Sequence, residues 1–165
     1  NCKTTKKMFP VLDNVQKMRD AVALIHAHIN AQPFYEKQDE SKRYTFFNYK
    51  FQNSYVFPGL DSTEDDKIKE ALKITRECRG ICFSLQSGAC VSRGFHKFFN
   101  VNEKPETMDN NIDLNQDHVI LDKVDGSMIV AMFVSDDSLV AQQNPIGTIR
   151  FRSKMGWNTD VSKHC

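Results

Sequence analysis

Residues able to do chemistry gather in four short segments of the 165-residue chain. Glu77-Cys78-Arg79-Gly80 precedes an apolar run, and Ser92-Arg93-Gly94-Phe95-His96-Lys97-Phe98-Phe99-Asn100 follows one. Lys123-Val124-Asp125-Gly126-Ser127 lies between two apolar runs, and Phe151-Arg152-Ser153-Lys154-Met155-Gly156 comes last. Each presents a cation at a predicted strand edge or turn. Four cations meeting in one pocket would bind a triphosphate, and their field would lower the pKa of a lysine among them. A neutral lysine amine is a nucleophile. It can attack an α-phosphate while Mg²⁺ and the other cations stabilise the leaving pyrophosphate.

Lys123 is the candidate nucleophile. Val119-Ile120-Leu121 before it and Met128 to Val134 after it read as short buried strands, because β-branched and apolar residues run together there. The competing reading is a plain hairpin, with Asp125-Gly126 as a type I′ turn and Lys123 as a solvated strand end.

The elements that must position these segments follow from periodicity. Val11, Val15, Met18, Val22, Ile25 and Ile29 recur at helical steps, so an amphipathic helix is expected over about 11–30, with Asp13 or Asn14 near its start. His26 and His28 point to different faces, which suits packing or helix-end charge rather than a metal. The aromatics from Tyr44 to Phe57 predict one or two strands; core packing is favoured over a base-stacking platform for nucleic acid. A short helix with acids in its first turn is expected between Asp61 and about Thr75. A strand follows Gly80, Ser87-Gly88 makes a tip, and Cys90-Val91-Ser92 returns. Val101 to Gln116 reads as a surface loop. Asp136-Asp137 reads as a turn, Leu139-Val140-Ala141 as a strand broken by Pro145-Ile146-Gly147, and Ile149 to Lys154 as the last strand. The class is α+β, mostly antiparallel β after the first helix.

Length and composition suit one domain. The net charge of +1 gives no global pull toward a polyanion, so any such binding needs locally clustered Lys and Arg. No run approaches the ~18 apolar residues of a membrane span, and the first residues lack a signal-peptide core. No second closely spaced Cys pair accompanies Cys78 and Cys82, and His26 and His28 point to different faces, so the two cysteines read as buried reduced thiols rather than zinc ligands. A reducing, cytoplasmic location is expected. The chain begins with Asn and ends at Cys165, which reads as a piece of something longer.

In the order and spacing of its segments the chain resembles the nucleotidyltransferase domain of ATP-dependent RNA ligases of the bacteriophage T4 RNA ligase 1 type. Glu77 to Gly80, Ser92 to Asn100, Asn102-Glu103-Lys104-Pro105 with Thr107-Met108, Asn111 to Asn115, and the Lys-x-Asp-Gly-Ser motif from Lys123 to Ser127 carry the likeness, from about Tyr44 to Gly156. A lone Lys-x-Asp-Gly is weak, whereas the ordered set is specific. The resemblance implies an ATP-grasp-like ligase fold of antiparallel sheets with flanking helices, with residues 1–165 as its N-terminal part.

It also implies a reaction. Lys123 would take AMP from ATP, with Mg²⁺, and pass it to the 5′-phosphate of an RNA end, which a 3′-hydroxyl then joins, as in repair of broken tRNA or other RNA. By the same resemblance Asp125 and Gly126 shape the lysine's turn, and Arg79, Lys97 and Lys154 contact nucleotide and phosphates. Phe99 is an aromatic of the nucleotide pocket or plain core, and Arg93 a further match or a solvated charge. No metal ligand is assigned. Met155 separates Lys154 from Gly156, where the family tends to place Gly directly after Lys. A further glutamate and paired lysines would fall after position 165, so this chain alone is expected not to complete ligation. The competing functions are a capping guanylyltransferase or DNA ligase, and a non-catalytic nucleotide- or RNA-binding relative.

Overall fold

The helical repeat near the N-terminus winds into α1 (Val15–Ile29) in the computed structural model, which describes residues 9–50, 55–134, 148–157 and 159–163. Asn14 ends its extended approach and accepts a hydrogen bond from the Gln16 N–H at 2.7 Å, which sets the helix start four residues beyond Val11. Asn30 closes it in the left-handed region, and Val15, Met18, Ala21 and Ile25 are buried. The second helix, α2 (Asp66–Thr75), is capped by the Asp65 carboxylate, which accepts from the N–H groups of Lys67 and Ile68. The two helices pack together.

They cover one face of a four-stranded antiparallel sheet in the order β1 (Phe34–Gln38), β2 (Tyr44–Tyr49), β3 (Ile81–Ser84), β4 (Cys90–Ser92). All six residues of β2 are buried because both faces of the sheet are covered. Phe47 and Tyr49 join the core with the helices, while Tyr44 and Phe46 join Cys82, Met132, Val134 and Trp157 on the other side. Trp157 meets Tyr44 and Phe46 edge-on at 4.6 and 5.1 Å between centroids. Tyr44, Phe46, Phe47, Tyr49 and Phe57 are therefore core, as the favoured reading had it, while Tyr55 is exposed and Phe51 lies outside the described residues. Strand β1 is unanticipated, since only Phe34 of its side chains is buried and the rest look like loop residues at a sheet edge.

On the far side of the sheet, β5 (Val130–Val134) and β6 (Thr148–Arg152) form a two-stranded antiparallel sheet, with β5 against β4. A short helix, α3 (Asp160–Lys163), ends the described chain. The α+β class with antiparallel sheets is thus observed. The expected turn at Asp136-Asp137 and the strand at Leu139 to Ala141 lie outside the described residues, as do Cys2 and Cys165. Cys78 and Cys82 are buried free thiols, with burial pushing both pKa values up. No helix among the described residues is long and apolar enough to cross a membrane.

The buried strand expected over Met128 to Val134 begins at Val130, with Ala131 and Phe133 exposed, and a second expectation is overturned outright. Val119-Ile120-Leu121 forms neither a strand nor buried structure: all three are strongly exposed, and residues 117–129 contain no ladder. Strand-forming side chains need a partner edge and a covered face, and among the described residues none pairs with this run. Lys123 accordingly lies on an irregular, open segment rather than at a hairpin end.

Candidate nucleotide site

Arg79 enters the site from the turn between α2 and β3. Its Nη1 donates to the His96 carbonyl at 3.0 Å, and its guanidinium carbon sits 5.2 Å from the Phe98 centroid. Gly80, at φ +86°, makes that turn possible: a Cβ there would come within 2.7 Å of the Lys154 carbonyl oxygen and 2.8 Å of Arg152 Nη1. Close approach of backbone to backbone therefore brings Arg79 beside Lys154.

The segment after β4 supplies Lys97 and Phe99. The Lys97 N–H donates to the Arg76 carbonyl at 2.7 Å, and its ammonium lies 4.7 Å from the Phe99 centroid. Phe99 serves both expected roles. One side packs on the core beside Phe57, and the ring also borders the cleft, with Arg76 and Lys104 drawn to it. Arg93 instead turns to Glu77, donating with Nε at 3.0 Å and Nη2 at 2.6 Å, and through Nη1 to the Pro10 carbonyl. It braces the start of the segment and lines neither cleft of the candidate site.

A cleft of about 720 Å³ gathers these groups: Arg79, Lys97, Phe99, Lys123 and Gly126 line it together with Tyr49. The Lys123 side chain is 83% exposed, and its ammonium stands 3.7 Å from a carboxylate oxygen of the fully exposed Asp125. Gly126 has φ +147° with nothing among the described residues within 4 Å of a would-be Cβ, so backbone conformation rather than crowding asks for glycine. An adjoining cleft of about 400 Å³ shares Tyr49, Arg79 and Gly126 and adds Lys154. The Lys154 ammonium lies 3.5 Å from the Tyr49 centroid. Desolvation, with the charge of Arg79 second, pulls its pKa below the ordinary lysine value.

Three predicted cations thus share one cleft and the fourth occupies its neighbour. Tyr49, Asn100, Glu103 and Lys104 also line the first cleft. Tyr49 escapes a sequence reading because it stands within a run of aromatics read as core, yet it walls both clefts. Such a cleft suits a nucleoside polyphosphate, with cations for the phosphates and aromatic walls for a base. Among the described residues no cluster of three or more His, Cys, Asp or Glu is placed to hold a metal. Glu103 lines the cleft and Asp125 flanks Lys123. One or two carboxylates suffice for Mg²⁺ when substrate phosphates complete its shell.

A sequence profile of RNA ligases matches residues 77–163, just over half of the chain, and that stretch contains every predicted site residue. A Thermovibrio ammonificans protein named "Putative RNA ligase" is 45% identical over 56 residues, which is 34% of this chain and 14% of the relative's own length.

Proposed function

The chain belongs to the RNA ligase family, and we propose that it is the adenylation domain of an ATP-dependent RNA ligase of the bacteriophage T4 RNA ligase 1 type, on a nucleotidyltransferase (ATP-grasp-like) fold. One observation carries the reading: Arg79, Lys97 and the Lys123–Gly126 stretch come from three separate segments and line a single cleft. The neutral amine of Lys123 attacks the α-phosphorus of ATP. An N–P bond forms, the bond to pyrophosphate breaks, and the amine proton passes to water. Arg79, Lys97 and Lys154 face the phosphate charge, and Tyr49 and Phe99 wall the base. Mg²⁺ on the phosphates would supply Lewis-acid stabilisation of the departing pyrophosphate.

A 5′-phosphate oxygen of RNA then attacks the adenylate phosphorus, which breaks the N–P bond and restores the lysine. Finally a 3′-hydroxyl attacks the activated 5′-phosphorus, and AMP leaves with the strand sealed. The use is repair of broken RNA, tRNA among it. Incubation with ATP or GTP labelled at the α-phosphate tests the assignment. Covalent label from ATP that chases onto 5′-phosphorylated RNA is expected; label from GTP alone indicates a capping-type enzyme and contradicts it. The exposure of Lys123 favours one other reading, a relative that binds nucleotide or RNA without turnover. That reading predicts binding that survives Lys123→Ala and no covalent product.

A further inference from the structure

Beside the nucleotide cleft, and sharing Lys97, Phe98 and Phe99 with it, lies a second cleft of about 350 Å³ lined also by Phe9, Arg76 and His96. Its size is at the small end of ligand sites, about 300–1,000 Å³, which suits a single base. Phe9 and Phe98 are 47% and 56% exposed here, and Phe95 on the same segment is 69% exposed. Grouped exposed aromatics of this kind mark interaction surfaces. His96 stands edge-on to Phe9 at 4.7 Å between centroids. Burial, its first cause, lowers the His96 pKa from the ordinary imidazole value, which keeps the ring neutral near pH 7.

The charges fit a polyanion. Both carboxylates lining the cleft are already matched, Glu77 by Arg93 and Glu106 by Arg76. Lys97 and Lys73 leave the cleft net positive, the contact of Lys73 with Glu70 being long at 3.9 Å. Rings beside cations form the pattern on which single-stranded nucleic acid stacks.

We infer that this second cleft takes an unpaired base of the RNA strand, stacked on Phe9 and Phe98 with Lys73 toward its phosphates, so that the strand lies across the Lys97–Phe99 wall from the nucleotide. The inference rests on the RNA ligase reading and adds to it a place for the RNA. The test is fluorescence anisotropy of the full chain with a short labelled single-stranded oligoribonucleotide bearing a 5′-phosphate. Wild type, Phe9→Ala and Phe9→Leu are compared, with adenylation read by intact mass in the same samples. Base stacking on an aromatic is worth about 1–3 kcal/mol, so Phe9→Ala raises the Kd by about tenfold at 1.4 kcal/mol per decade. Phe9→Leu, which keeps apolar bulk and lacks the ring, binds as weakly, while the AMP adduct forms as in wild type. Unchanged affinity in Phe9→Ala, or full affinity in Phe9→Leu, overturns the inference. A wild type that adenylates and binds no RNA overturns it and leaves the adenylation site standing; absence of both signals overturns the functional reading with it.

Discussion

Lys154 carries its charge under the least favourable conditions in the site. Desolvation and Arg79 oppose the ammonium, so folding lowers its pKa below the unfolded chain's value near 10.5. The sign of the pH effect follows from proton counting. Below the lowered pKa both states hold the proton and the folded state bears the full penalty. Between the lowered value and 10.5 the unfolded chain binds more proton, and stability rises with pH until the penalty is gone. Lys154→Met is therefore predicted to raise Tm at pH 7, by a margin that shrinks toward pH 10, while reducing the Tm increase that ATP confers. Thermal melts at several pH values check this, and a lower Tm for the variant at pH 7 contradicts it. The residue lies in a tight turn closed by the Ser153 N–H to the Gly156 carbonyl at 3.0 Å. Its value to the site, on this account, is a cation held ready for phosphate at a cost in stability.

At the scale of elements, two contacts fix β6 to the main sheet and so place Lys154 beside Arg79. One is the approach at Gly80, where alanine would meet both a left-handed φ and backbone atoms. Gly80→Ala is predicted to cost about 1–3 kcal/mol, read as a fall in the urea midpoint, with ATP binding weakened as well; an unchanged midpoint contradicts the packing described. The other is Arg152, fully buried, whose Nε donates to Ser92 Oγ and whose Nη2 finds no hydrogen-bond partner among the described residues. A buried charge so incompletely matched gives up little when replaced by an apolar side chain of similar length, whereas truncation leaves a cavity. Arg152→Ala is predicted to lose about 2–5 kcal/mol and Arg152→Met much less, measured by urea denaturation; equal losses would show that the hydrogen bond to Ser92, not volume, dominates. Sequence legibility divides along the same physics. The helices and the β3–β4 hairpin were readable because caps, tips and apolar periods are local signals. Strand β1 was not, because an edge strand with exposed Glu36, Lys37 and Gln38 shows no pattern. Val119 to Leu121 misled because strand composition says nothing of whether a partner edge exists.

For the molecule as a whole, a four-stranded sheet between two helices and a smaller sheet holds site residues that are far apart in sequence. The convergence of Arg79, Lys97 and Lys123 was legible from the order of short motifs, and the contribution of Tyr49 was not, since its neighbours Phe46 and Phe47 are pure core. The half of the chain that matches the RNA ligase family holds the predicted site residues, while α1, β1, β2 and α2 precede it and supply much of the core and the Tyr49 wall. The central claim is that Lys123 becomes covalently linked to AMP. Intact mass spectrometry after incubation with ATP and Mg²⁺, beside Lys123→Ala and Lys123→Arg, tests it directly. The account predicts a gain of one AMP in the wild type and none in either variant. A wild type that gains nothing, or a gain that persists in Lys123→Ala, would contradict it.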